Sequence, residues 1–151
     1  MSTTGFNVRV YGIMINEKKQ VLVSDEYIRG GYYTKFPGGG LEFGEGTLEC
    51  MVREWQEELG QDVKVVEHIY TTDFFQISAF DNETQIISIY YLVTPLSPFT
   101  AKVITKPFDF IVPEGTDEME RARWIDWDDF SSAAVTLPID KVVADMVKAK
   151  Y

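Results

Sequence analysis

The chain has 151 residues, 45% of them hydrophobic and 14% aromatic, and carries 14 Lys+Arg against 24 Asp+Glu for a net charge of −10. That length suits one domain, 1–151, with a sizeable core, and the composition excludes a disordered chain. The charge argues against duplex nucleic acid held on a basic face. No apolar run approaches the ~20 residues of a membrane helix, and Met1–Gly5 lacks the apolar block of a leader, so no membrane association is expected. The lone cysteine, Cys50, excludes an internal disulfide and suits a reducing, cytoplasmic setting.

Along the chain, positions 6–15 alternate, placing Phe6, Val8, Val10, Gly12 and Met14 on one side of a strand. The polar run Asn16-Glu17-Lys18-Lys19 reads as a turn, with 21–23 as the hairpin partner. Residues 28–34 read as a loop leading to Phe36-Pro37. A helix is predicted over 47–59: Leu48, Met51, Val52, Trp55 and Leu59 form an apolar stripe, Gly46 or Thr47 is the N-cap, and Gly60 stops it. Residues 63–79 and 85–94 are rich in β-branched and aromatic residues and flank the turn Asp81-Asn82-Glu83-Thr84. Prolines 95, 98, 107 and 113 punctuate an irregular or edge region. A further strand is expected over 121–127. Pro138 opens a terminal helix with Ile139, Val142, Val143, Met146 and Val147 facing inward. One mixed sheet with helices on it is the expected α/β architecture.

The segment FPGGGLEFGEGTLECMVREWQEELGQ, residues 36–61, demands a separate explanation. Glu54, Glu57 and Glu58 share one helix face at i, i+3, i+4. Like charges at that spacing cost about 0.2–0.5 kcal/mol per pair, and the C-terminal half of a helix disfavours anions. A solvated acidic face would account for the glutamates but not for the three glycines before them. A hard cation accounts for both. Mg²⁺ takes oxygen ligands from a few carboxylates and from substrate phosphates, and glycines allow close backbone approach. Metal-assisted attack on a phosphate ester or anhydride is the chemistry indicated. No G-x-x-x-x-G-K-[ST] loop is present, which argues against a P-loop nucleotidase.

The segment resembles the Nudix box, G-x5-E-x7-R-E-U-x-E-E-x-G-U, where U is a bulky apolar residue. Gly39, Glu45, Arg53-Glu54, Trp55, Glu57-Glu58 and Gly60 fall at the required spacing. The seven fixed positions would coincide by chance on the order of 10⁻⁸ per start site, given average residue usage. The final U is Gln61, a departure expected to cost packing at the helix exit rather than chemistry. Phe36-Pro37-Gly38-Gly39-Gly40 is similar to the family's entry to the box, with Thr34 where Trp is frequent. Residues 121–125 and Asp128-Asp129-Phe130 resemble its late strand and short helix.

The resemblance implies a Nudix-type α/β/α sandwich with a mixed sheet and a loop-helix-loop catalytic motif. It also implies a metal-dependent hydrolase acting on a nucleoside diphosphate linked to another moiety. Mg²⁺ or Mn²⁺ would be held by Glu54, Glu57, Glu58 and the Gly38 carbonyl, with Glu54 also orienting or deprotonating water. Arg53 would hold Glu54 or Glu45, leaving Glu45 structural. Some members take the base from a late loop, where Glu118 and Glu120 stand. His68, the only histidine, reads as structural on its strand, and Cys50 as a buried inert thiol. Tyr32 and Tyr33 could stack a base or serve packing equally. Members cleaving ADP-ribose tend to carry a proline about sixteen residues past the box, where Gln76 and Ile77 stand. Those cleaving diadenosine polyphosphates tend to carry a tyrosine where Ser78 and Ala79 stand. Nucleoside triphosphates and nucleotide sugars are the substrates favoured. The expected partners are a small-molecule nucleotide and a second copy of the chain in a homodimer. The alternative is a Nudix-fold sensor without turnover, though such proteins usually lose the box glutamates that this chain keeps.

Overall fold

The computed structural model describes residues 5–151. Among these, β1 (Gly5–Ile13), β2 (Gln20–Ile28), β3 (Gly31–Lys35) and β4 (Gly38–Gly40) precede helix α1 (Thr47–Leu59). Then come β5 (Val63–Thr71), β6 (Thr84–Pro95), β7 (Val103–Ile104), β8 (Glu118–Asp126) and helix α2 (Pro138–Lys150). The strands form two mixed four-stranded sheets rather than the single sheet expected, in the orders β4-β1-β6-β5 and β3-β2-β8-β7.

The expected hairpin between the first two strands is absent. Asn16 closes the turn, its Oδ1 accepting from the amides of Lys18 and Gln20, but the strands then part into different sheets. A single bridge, Ile15–Val21, and a bond from the Leu22 amide to the Met14 carbonyl connect them. β1 instead pairs in parallel with β6, from Gly5–Thr84 to Ile13–Leu92. The loop expected over 28–34 is a tight hairpin between β2 and β3. Its two turn residues, Arg29 and Gly30, have φ of 44° and 91°, as a two-residue turn matching strand twist requires. The strand expected over 63–79 stops at Thr71 after two bulges. The late strand begins at Glu118, so Glu118 and Glu120 lie on β8 rather than on a loop.

Alternation along the strands splits the core into two layers. Val10 of β1, Met14 just after it and Leu22 of β2 pack with Cys50, Met51 and Trp55 of α1. Tyr11, Ile13, Val21 and Val23 point the other way and pack with Phe36, Tyr90 and Ile139, Val143 and Val147 of α2. The helices therefore cover opposite faces, and the α/β/α arrangement is borne out. Helix bounds match the sequence reading, with Gly46 as N-cap and Gly60 as a left-handed C-cap at φ 61°. The stripes do not match throughout. Leu48 and Val52 of α1, and Val142 and Met146 of α2, are exposed; Cys50, Asp140 and Ala144 are buried in their place. Gln61, expected to cost packing, is 1% exposed. Its amide donates to the carbonyls of Asp62 and Ser97 and to Ser97 Oγ, so it ties the helix exit to the segment after β6. No helix among the described residues is long and apolar enough to cross a membrane.

Candidate active site

Arg53 organises the start of α1. Its Nε and Nη2 donate to the two oxygens of Glu45 at 2.9 and 2.7 Å, a fork that fixes the loop before the helix. The pairing holds the Glu45 carboxyl down to about 2, with the Arg53 hydrogen bond as the main cause. Nη2 also donates to the Gly40 carbonyl at 3.1 Å, and Nη1 to Glu54 at 3.0 Å and Glu57 at 3.1 Å. One guanidinium thus joins β4, the loop and two box glutamates. Cys50 is buried behind it, its thiol pushed up to about 12 chiefly by burial, in keeping with an inert role.

Gly39 is the residue that lets Glu54 reach its position. A Cβ there would lie 2.5 Å from the Glu54 Cδ and Oε2, so the carboxylate fills the space a side chain would take. A Cβ on Gly38 would lie 2.1 Å from the Val10 carbonyl, so β4 can approach β1 only without one. The Gly12 amide donates to the Pro37 carbonyl and the Leu41 amide to the Val8 carbonyl. Alternation in an antiparallel ladder then turns the Gly38 and Gly40 carbonyls away from β1. Gly40 spends its carbonyl on Arg53, and the Gly38 carbonyl stays oriented as a potential metal ligand.

A cleft of about 420 Å³ opens beside this motif. Arg9 and Tyr11 of β1 and Ser88 and Tyr90 of β6 lie along it. Glu26 of β2 and Glu118 and Glu120 of β8 form an acidic wall, and Gly38–Gly40, Glu54 and Glu58 complete it. Glu26 and Glu120 stand opposite each other in the ladder, a like-charge pairing that destabilises a sheet. Burial, followed by Glu120, Glu54 and Glu26, pushes the Glu58 carboxyl well above the usual carboxylate range. Burial and Glu26 likewise raise Glu120, with Lys35 acting against them. Such crowding is expected where positive charge is to be received.

The box glutamates divide. The Glu54 side chain is 12% exposed and that of Glu57 59%. Glu54 and Glu58 line the cleft, whereas Glu57 sits outside it, held by Arg53. Among the described residues no three ligating groups converge as placed. All are hard oxygen donors of the kind Mg²⁺ and Mn²⁺ take. The set fits a hard divalent cation.

His68 lies on β5, bonded to Thr71 Oγ1 and edge-on to Tyr91, outside the cleft. Tyr32 packs on Tyr27 and Phe108, and Tyr33 on Phe80; neither lines the cleft. Gln76 to Asp81 line the cleft rim. Sequence reading missed Glu26, Arg9, Lys35 and Asp140, all facing the cleft. Their signal was faint: charged residues inside strand-like runs and one acid on the inner face of α2.

The NUDIX domain family description matches residues 5–146. An RNA pyrophosphohydrolase of Hamiltonella defensa subsp. Acyrthosiphon pisum (strain 5AT) is 37% identical over 71 residues, 47% of this chain and 42% of that protein. Nudix hydrolase 2 of Arabidopsis thaliana is 29% identical over 129 residues, 82% of this chain and 40% of that protein. The chain thus spans about two fifths of the length of these curated relatives. The MutT protein of Methanosarcina mazei Go1 shares the fold over 100% of both chains, with a TM-score of 0.69 at 16% identity. With the box geometry in place and the domain matched over nearly its whole length, the chain belongs to the Nudix hydrolase family.

Proposed function

We propose that the protein is a metal-dependent pyrophosphohydrolase acting on a nucleoside diphosphate linked to another moiety, with nucleoside triphosphates and nucleotide sugars as the favoured classes. The observation that carries this reading is the cleft where Glu54 and Glu58 meet Glu26 and Glu120 beside an open Gly38 carbonyl. Relatives named as pyrophosphohydrolases support it. Residues 1–151 act as one domain in this reading.

Glu54, Glu57, Glu58 and the Gly38 carbonyl would hold Mg²⁺ or Mn²⁺. When bound, such a cation would supply positive charge to phosphoryl oxygens. Glu54, packed against Gly39 and aligned by Arg53, orients the attacking water and accepts its proton. Glu120 lies across the cleft as the second carboxylate able to take that role. Arg53 catalyses nothing itself; it sets the Glu54 rotamer and fixes the loop through Glu45.

The test is a panel of nucleoside triphosphates, nucleotide sugars and dinucleoside polyphosphates with Mg²⁺ or Mn²⁺, scored for phosphate and pyrophosphate release. Turnover of at least one class, abolished by chelation, is expected. Tight binding of nucleotides with turnover of none would establish a sensor instead.

A further inference from the structure

Among the described residues two arginines line the acidic cleft with no carboxylate attached, Arg9 and Arg29, and of these Arg29 is exposed at the β2–β3 turn and only Arg9 is partly buried. Arg9, in the middle of β1, is partly buried and lines the cleft. Its Nε donates to the Tyr11 hydroxyl at 2.5 Å, yet among the described residues neither Nη nitrogen has a hydrogen-bond partner and no ion pair involves it. The neighbouring cation differs: Lys35 is neutralised by Glu26 at 3.2 Å. Leaving a partly desolvated guanidinium unpaired is unfavourable, and with 24 acidic residues in the chain a partner was easily supplied.

The backbone places this group with care. Arg9 is opposite Gly40 on one side and Ser88 on the other, and its Nη1 lies 3.7 Å from where a Gly40 Cβ would be. It therefore sits beside β4, whose Gly38 carbonyl would hold the metal together with the Glu54 packed against Gly39. The residue steadying it is itself rigid. Tyr11 is 4% exposed and stacks on Tyr90 with ring centroids 5.3 Å apart. A planar fork with one edge tied down and the other open is suited to two oxygens of a phosphoryl group.

We propose that Arg9 is the phosphate-receiving side chain of this cleft, its open Nη edge aligned by the Tyr11 hydroxyl to take the phosphoryl group next to the one held at the Glu54/Glu58 end. The ligand class is a polyphosphate chain, and this rests on the pyrophosphohydrolase reading above.

The probes are inorganic tripolyphosphate with Mg²⁺, measured by calorimetry, and Mn²⁺ alone, measured by electron paramagnetic resonance. Arg9→Gln should weaken tripolyphosphate binding about 10- to 100-fold, the range for losing charge-assisted hydrogen bonds. Arg9→Lys, which keeps charge but not the fork, should recover part of that. Tyr11→Phe should weaken binding about 2- to 10-fold by freeing the guanidinium. Mn²⁺ affinity should stay within twofold of wild type in all three. Unchanged tripolyphosphate binding in Arg9→Gln would overturn the assignment, as would a parallel loss of Mn²⁺ affinity, which would make Arg9 a prop for the metal site. Wild-type turnover of the nucleotide panel with Arg9→Gln kinetics unchanged would sink this inference alone. Arg9-dependent tripolyphosphate binding with no turnover of any nucleotide would sink only the hydrolase reading.

Discussion

Gly39→Ala isolates the packing that positions Glu54. The new Cβ would start 2.5 Å from the Glu54 Cδ and Oε2 and 2.6 Å from Oε1. Ordinary contact begins near 3.4 Å, so the carboxylate must retreat by about 0.9 Å. The backbone at Gly39 needs no left-handed conformation, and the clashing atoms end a flexible side chain, so the fold should survive. Overpacking of this kind costs about 1–3 kcal/mol, and a mobile carboxylate places the change at the low end. Catalysis is less tolerant, since a displacement of about 1 Å in a reacting group can cost on the order of 10²-fold. The expected variant melts within a few degrees of wild type, and its kcat falls about a hundredfold on whichever substrate the panel identifies. Gly38→Ala provides the contrast, because its Cβ would meet the Val10 carbonyl at 2.1 Å. That substitution should separate β4 from β1 and lower stability together with activity. Steady-state kinetics beside thermal melts distinguish the two variants. Wild-type kcat in Gly39→Ala would refute the packing argument.

Three further outcomes follow from the structure. Gln61→Leu, which supplies the apolar residue usual in the box, should destabilise by about 1–3 kcal/mol, because it strands the Ser97 carbonyl that the buried amide now satisfies; a more stable variant by chemical denaturation would contradict this. Buried Asp140, raised to about 6 by burial against an ordinary 3.8, binds its proton more tightly folded than unfolded. Stability should therefore fall as pH rises from about 4 to 6, by on the order of 2–3 kcal/mol for this group. Asp140→Asn, which can still accept from Tyr90, should gain on wild type across that window in denaturation at pH 4 and pH 7, and parallel curves would reject the assignment. His68→Ala should leave turnover within about twofold of wild type, since the ring bonds Thr71 outside the cleft; a hundredfold loss with the fold intact would reveal an unrecognised general base.

What was legible in the sequence was local. The box could be read because Gly39, Glu45, Arg53, Glu54 and Glu58 lie within twenty residues, on a loop and helix whose period and caps are encoded in place. The ends of α1 were readable for the same reason: Gly46 and Gly60 are short-range signals. Strand partnership was not readable. β1 and β2 are joined by a good turn, yet pairing is decided by β6 and β8, about eighty and a hundred residues further on. Glu26 and Arg9 were missed on the same grounds, since their place in the cleft depends on long-range register. Asp25 was also illegible. It is fully buried, accepting from Arg123, Thr34 Oγ1 and the Phe108 amide, and only the fold brings those partners together. The outward placement of Leu48 and Val52 shows the limit of periodicity, because the buried stripe on α1 follows Cys50, Met51 and Trp55 where the sheet lies.

The most direct test of the account compares wild type with Glu54→Gln in saturating Mg²⁺, with turnover and calorimetric binding of a non-hydrolysable nucleotide analogue measured on the same preparations. The substitution keeps the shape that fits against Gly39 and removes the charge and basicity. The account predicts that kcat falls by roughly 10²–10⁴ while analogue affinity changes far less and the melting temperature holds. Turnover undiminished in Glu54→Gln would contradict it.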